Sequence, residues 1–153
     1  DGATQAANKA LESNPNDIAA LSLRVDAAGR RGNAAEIDRQ FAQLQARHPN
    51  HPVTLATAGH IAFARGQMGK AAASYKAAFD RAPASPLALL LAQAWVANTE
   101  APKALAMLQG WSAKQPRDGI VLRALAELQL LQNQPDAARR SYDTLLKLDP
   151  EDP

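Results

Sequence analysis

The chain of 153 residues contains no cysteine, which excludes disulfides, thiolate nucleophiles and cysteine-ligated zinc. It has no charge excess worth the name: 17 Lys+Arg stand against 15 Asp+Glu, for a formal net charge of +2. That balance, with a pI of about 9.2, describes a mixed-charge surface and not a nucleic-acid tail. No apolar run approaches the roughly 18 residues of a membrane span. The longest, Leu87 to Ala92, lies inside a helical pattern. Nothing reads as a signal peptide or lipidation motif. No stretch alternates with period two, so strands are not expected.

Catalytic patterns are lacking too. Ser22, Ser74, Ser112 and Ser141 are isolated, with no Ser-His-Asp order, paired-carboxylate motif or nucleophile elbow. The chain is therefore read as no enzyme. His48 and His51 flank Pro49-Asn50, but zinc wants about four ligands, and neither cysteine nor an adjacent carboxylate is there to complete the set. They read as turn residues. Gly66-Gln67-Met68-Gly69-Lys70 has two residues between its glycines where a phosphate loop needs four, and Ala71 where that loop needs Ser or Thr. It reads as a helix–helix turn. No metal and no cofactor is expected.

What is present is a period. Pro15, Pro49, Pro83, Pro116 and Pro150 follow one another at steps of 34, 34, 33 and 34 residues. With each proline at position 32 of a repeat, position 24 holds Phe41, Tyr75, Leu108 and Tyr142, and position 20 holds Ile37, Ala71, Ala104 and Ala138. Position 7 holds Arg24, Ala58, Leu91 and Leu125, and position 8 holds Val25, Gly59, Ala92 and Ala126. Position 11 holds Ala28, Ala62, Trp95 and Gln129, and position 27 holds Leu44, Ala78, Trp111 and Leu145. Gly32 and Gly66 occupy position 15, with Thr99 and Asn133 later. Small residues at 8 and 20 let antiparallel helices approach, and the large residue at 24 fills the space to the next hairpin. Proline ends the second helix because it lacks an N–H and clashes with the preceding turn.

This pattern resembles the tetratricopeptide (TPR) family over nearly the whole chain, departing from it at Arg24 and Ile37. The resemblance implies an all-α, right-handed superhelical solenoid of helix-turn-helix hairpins. One array over 1–153 is expected: a half repeat at 1–17 and full repeats at about 18–51, 52–84, 85–118 and 119–152. Both ends read as pieces of further repeats, Gly2 to Leu11 at the start and Glu151-Asp152-Pro153 at the close, so a fragment of a longer array is expected.

Nine helices follow, at about 2–13, 17–30, 33–48, 51–65, 68–82, 86–98, 101–115, 118–132 and 135–148. Asn33 with Glu36 forms a capping-box variant. Thr99 and Asn133 are expected as N-caps, with Pro102 and Pro135 in the first turn, where proline is tolerated. The 33-residue step belongs in the link Pro83-Ala84-Ser85-Pro86. Trp95 and Trp111 fall at packing positions, which favours core over a ligand platform.

In the TPR family the concave face is lined by first-helix positions 2, 5, 9, 12 and 13. The resemblance thus implies a peptide-binding groove containing Asp26, Arg30, His60, Phe63, Leu89, Gln93, Val96, Arg123 and Glu127. Phe63, flanked by His60 and one turn from Arg30 on the neighbouring helix, is the expected anchor, the alternative being that it turns into the hairpin seam as core. An amphipathic helix or extended peptide of a protein partner suits such a trough. The carboxylate clamp of chaperone-tail receptors is missing: Ser22, Asp26 and Thr57 stand where Lys, Asn and Asn are needed. Related repeats read RNA, but only Arg30 and Arg123 are basic in the groove, beside Asp26 and Glu127, so nucleic acid is not expected.

Leu89 to Pro116, with Leu91-Ala92-Gln93-Ala94-Trp95 and Leu108-Gln109-Gly110-Trp111, is similar to the TPR lipoproteins encoded with exosortase/PEP-CTERM systems. That implies an envelope role in exopolysaccharide export or surface-protein sorting and favours a periplasmic or outer-membrane-associated location, with the cytoplasm as the alternative. Two main function classes remain, a non-catalytic interaction scaffold or a spacer segment that binds nothing itself, with an RNA-binding helical repeat as a minor alternative.

Overall fold

A computed structural model describes residues 2–148, apart from the Ala3 side chain. Pro150 and the 151–153 segment lie outside the described residues. The helices are α1 (Gly2–Ser13), α2 (Ile18–Arg30), α3 (Ala34–Arg47), α4 (Pro52–Ala64), α5 (Met68–Arg81), α6 (Ser85–Ala97), α7 (Ala101–Lys114), α8 (Gly119–Leu131) and α9 (Pro135–Leu148). Each boundary lies within one residue of the spacing's prediction. No strand occurs among the described residues. The hairpins α2–α3, α4–α5, α6–α7 and α8–α9 stack in order, with α1 against α2. This is an all-α solenoid.

Helix starts and stops follow from local chemistry. Asp17 and Asp118 accept the backbone N–H of Ala20 and Val121 at 3.0 and 3.2 Å, and His51 Nδ1 accepts that of Val53 at 3.2 Å. Each satisfies an amide that the first turn leaves without a partner. His48 Nε2 meets the Asn16 carbonyl at 2.8 Å, so both turn histidines serve the backbone. The link before α6 is Ala82-Pro83-Ala84, three residues where its counterparts have four. Ala84 then stands at the cap position and offers no side-chain acceptor.

Two expectations about caps are corrected. Thr99 and Asn133 are not N-caps. Both have positive φ, 61° and 56°, like Gly32 and Gly66 at 65° and 71°. All four sit two residues past the end of the preceding helix, just after its C-cap, in the left-handed conformation that closes a helix C-terminus. The following amide then reaches back five residues, as in Gln67 N–H to Ala62 O (2.9 Å) and Glu100 N–H to Trp95 O (2.7 Å). Asn33 does cap α3 through Glu36 N–H (3.1 Å), but the Glu36 carboxylate takes Arg39 and Gln40 at 2.5 Å each. Those bonds hold its pKa below the usual carboxylate value. Only half of the expected capping box forms.

Packing explains the repeat positions. Ala71, Ala104 and Ala138 are buried where paired helices meet, while Ile37 and Arg24 in the first hairpin are only half-buried. At Gly59 a Cβ would lie 2.5 Å from two ring carbons of buried Tyr75, so the Tyr75 ring lies directly on the α4 backbone. The next hairpin uses the smaller ring-free pair Ala92 and Leu108. Two apolar clusters, one around Tyr75 and Leu91 and one around Leu108 and Leu125, are joined by Phe79, Trp95 and Met107. A third, around Leu21, Val25 and Leu44, serves the first hairpin.

Candidate peptide-binding groove

The first helices α2, α4, α6 and α8 bound three successive hollows. The first, about 530 Å³ between α2 and α4, is floored by Val25, Ile37, Thr57 and Ile61 and rimmed by Asp26, Arg30, His60 and Arg65. The second, about 230 Å³ between α4 and α6, is lined by His60, Phe63, Ala64, Tyr75, Leu90 and Gln93. The third, about 300 Å³ between α6 and α8, includes Leu89, Gln93, Val96, Glu127, Leu128 and Leu131. His60 and Ala64 belong to the first two, and Gln93 to the last two, so the hollows form one continuous track.

The polar groups along the track are held in place. Tyr75 Oη and His60 Nδ1 lie 2.9 Å apart, with the rings edge-on at 5.3 Å and 74°. Burial pushes the Tyr75 phenol pKa up, so the phenol keeps its proton at neutral pH. Thr57 bonds its own helix through Val53 O at 2.8 Å. Arg65 pairs with Asp38 at 2.8 Å on the rim. Such a surface offers apolar depressions with charge of both signs at their edges, which suits an amphipathic segment.

Eight of the nine expected groove residues line this track: Asp26, Arg30, His60, Phe63, Leu89, Gln93, Val96 and Glu127. Arg123, half-buried, lines none of the three. Phe63 and Arg30, expected together, fall in different hollows on either side of His60. Phe63 is 37% exposed and Val96 38%, so neither is consumed by the hairpin seam. Sequence reasoning missed Thr57, Leu90 and Ala124 at position 6, and Ile61 and Leu128 at position 10. The signal was there: these positions adjoin 5, 9 and 13 on a wheel of 3.6 residues per turn. Tyr75, which the repeat pattern marks as a seam filler, lines the second hollow as well.

Among the described residues, no group of three or more His, Cys, Asp or Glu is gathered as a metal would need. No described helix is long and apolar enough to cross a membrane.

A family model described as tetratricopeptide repeat matches residues 62–127. Over that stretch the chain is similar to tetratricopeptide repeats. The TPR protein TTC0263 of Thermus thermophilus superposes with a TM-score of 0.71 at 25% identity, covering 97% of this chain and 82% of that one. MamA from Desulfovibrio magneticus RS-1 gives 0.75 at 16% identity, over 98% and 86%. PilW, described as a widely conserved type IV pilus biogenesis factor, gives 0.74 at 19% identity, over 95% and 68%. No curated protein matches the chain in sequence. TPR folds are in general interaction scaffolds and not catalysts, and protein partners are what this one suggests.

Proposed function

We propose that the chain is a non-catalytic scaffold that holds a peptide or helix of a protein partner along the concave track. The observation that carries this reading is the continuity of the three hollows. An occupant seating apolar side chains in each would meet Asp26, Arg30, His60, Gln93 and Glu127 at the edges. Exposed Phe63, Val96 and Leu131 supply apolar contact that water leaves unfavourable. Phe63, between His60 and Gln93, is the central anchor, since aromatic residues at the middle of an interface dominate binding energy.

Site-specific photo-crosslinking tests it. A benzophenone side chain at Gln93 is expected to capture a discrete protein, and the same group at exposed Lys147 is not. Equal labelling from both positions, or none from Gln93, would favour the spacer reading. The narrower proposal, a role in envelope export or sorting with a periplasmic or outer-membrane-associated location, rests on the resemblance of residues 89–116. Identifying the captured protein tests that too: a cytosolic partner would contradict it.

A further inference from the structure

Outside the groove, on the second helices α5 and α7, lies another hollow of about 510 Å³. Phe79, Pro83, Met107 and Trp111 form its walls, and Gly110 leaves it open, with nothing within 4 Å of where its Cβ would be. We propose that this outer hollow is a second docking site, for a protein segment presenting a large apolar side chain beside a carboxylate.

Three observations support it. The aromatic wall is fixed before any ligand arrives: the Trp111 ring tilts against Phe79 at 5.3 Å and 54°, and its Nε1–H donates to Asp118 at 2.7 Å. Asp118, the N-cap of α8, also takes the Ser85 hydroxyl at 2.5 Å, so the indole is anchored to the start of α8 and, through it, to the start of α6. A pre-ordered wall lowers the entropy lost on binding. Second, the repeats serve as internal controls. Position 23 is Met107 here but Gln40, Ser74 and Ser141 in the other full repeats, and position 28 carries an aromatic ring only here, at Phe79, against Gln45, Ser112 and Leu146 in the others. A plain stacking unit has no need of an apolar side chain at position 23 or of a ring at position 28. Third, the one ionisable residue lining the hollow is exposed Lys114, with no carboxylate beside it there. Its ammonium has no ion pair among the described residues. Charge complementarity therefore selects an acidic occupant over a basic one.

The probe is a synthetic peptide array in which Leu, Met, Phe or Trp is followed, one to four residues later, by Glu, Gln or Lys. The native chain should retain Glu peptides over Gln and Lys peptides. Gly110→Leu places a side chain in the open space and should weaken retention by roughly tenfold or more, as loss of a central pocket does. Lys114→Glu, a surface change that tests the site without touching the walls, should reverse the charge preference. Crosslinking from Gln93 in the concave track should be unaffected by Gly110→Leu, so failure here and failure of the groove reading are separable. No retained peptide, indifference to Glu against Lys, or unchanged retention by Gly110→Leu would overturn the proposal. So would a dimer of the chain that Gly110→Leu abolishes, which would assign the face to a second copy.

Discussion

The α3–α4 junction and the α5–α6 junction occupy the same place in successive repeats, yet they are built differently. At α5–α6, Tyr75 lies with Leu91 and Ala94 in one apolar cluster, which Phe79, Trp95 and Met107 tie to the next. At α3–α4 the seam is much thinner. Gln40 and Thr54 are buried in these two helices, and Gln40 Oε1 and Thr54 Oγ1 have no hydrogen-bond partner. The first hairpin keeps its own cluster, and the widest hollow of the track opens beside it, between α2 and α4. The difference teaches that a repeat does not have one strength. Apolar continuity makes the middle of the array its stable unit, and buried polar groups leave the first joint soft where the groove is roomiest.

The sharpest way to break the contrast is Leu91→Ala, which empties the centre of the strong junction. Leu91 is 1% exposed, so the change should cost about 2–5 kcal/mol in chemical denaturation. A loss below about 1 kcal/mol would mean the cluster is not the stable unit. Next is Ala104→Leu, which overpacks the α6–α7 interface at a residue with no exposed surface and should cost about 1–3 kcal/mol. Lys147→Leu, an exposed control, should leave the unfolding midpoint nearly unchanged.

Sharpening works in the other direction. Thr54→Val removes an unpaired buried hydroxyl from the soft junction at equal shape. It should raise stability by about 1 kcal/mol. A loss of stability would show that the hydroxyl is satisfied. The smallest effect depends on acidity. Burial raises the Asp118 pKa, but bonds from Ser85, Trp111 and the Val121 and Ile120 amides outweigh it and hold the value below the ordinary 3.8. A depressed carboxylate stabilises the fold fully above its unfolded value, and that stabilisation is lost as the pH falls through the folded one. Below about pH 4 the native chain should therefore lose stability relative to Asp118→Asn, with the difference constant at neutral pH. Parallel acid profiles would remove the charge from the account.

Helix positions and pairing were legible because the proline period and the small residues at 8 and 20 report sterics that any such hairpin must obey. Gly59 under Tyr75 is the plainest case. The roles of Thr99 and Asn133 were not legible, since a polar residue between two helices suits a cap of the second as well as a left-handed end of the first. Only backbone geometry separates these, and Thr99 adopts a φ that a β-branched residue rarely does. Most groove residues followed from register, but their division into hollows depends on which large side chains stand between them. His60 separates Arg30 from Phe63 in that way. The outer hollow was hidden for a related reason. Trp111 occupies a packing position, and only the stack shows its ring half-covered, beside a link shortened at Pro83.

The central claim is that the concave track, through Phe63, holds a protein segment. Its most direct test pairs two measurements on Phe63→Ala: the affinity for the protein crosslinked from Gln93, and the thermal midpoint. Because Phe63 is exposed, affinity should fall by roughly tenfold or more while the midpoint stays within about 2 °C of the native chain. Unchanged affinity, or a midpoint fall as large as that of Leu91→Ala, would contradict it.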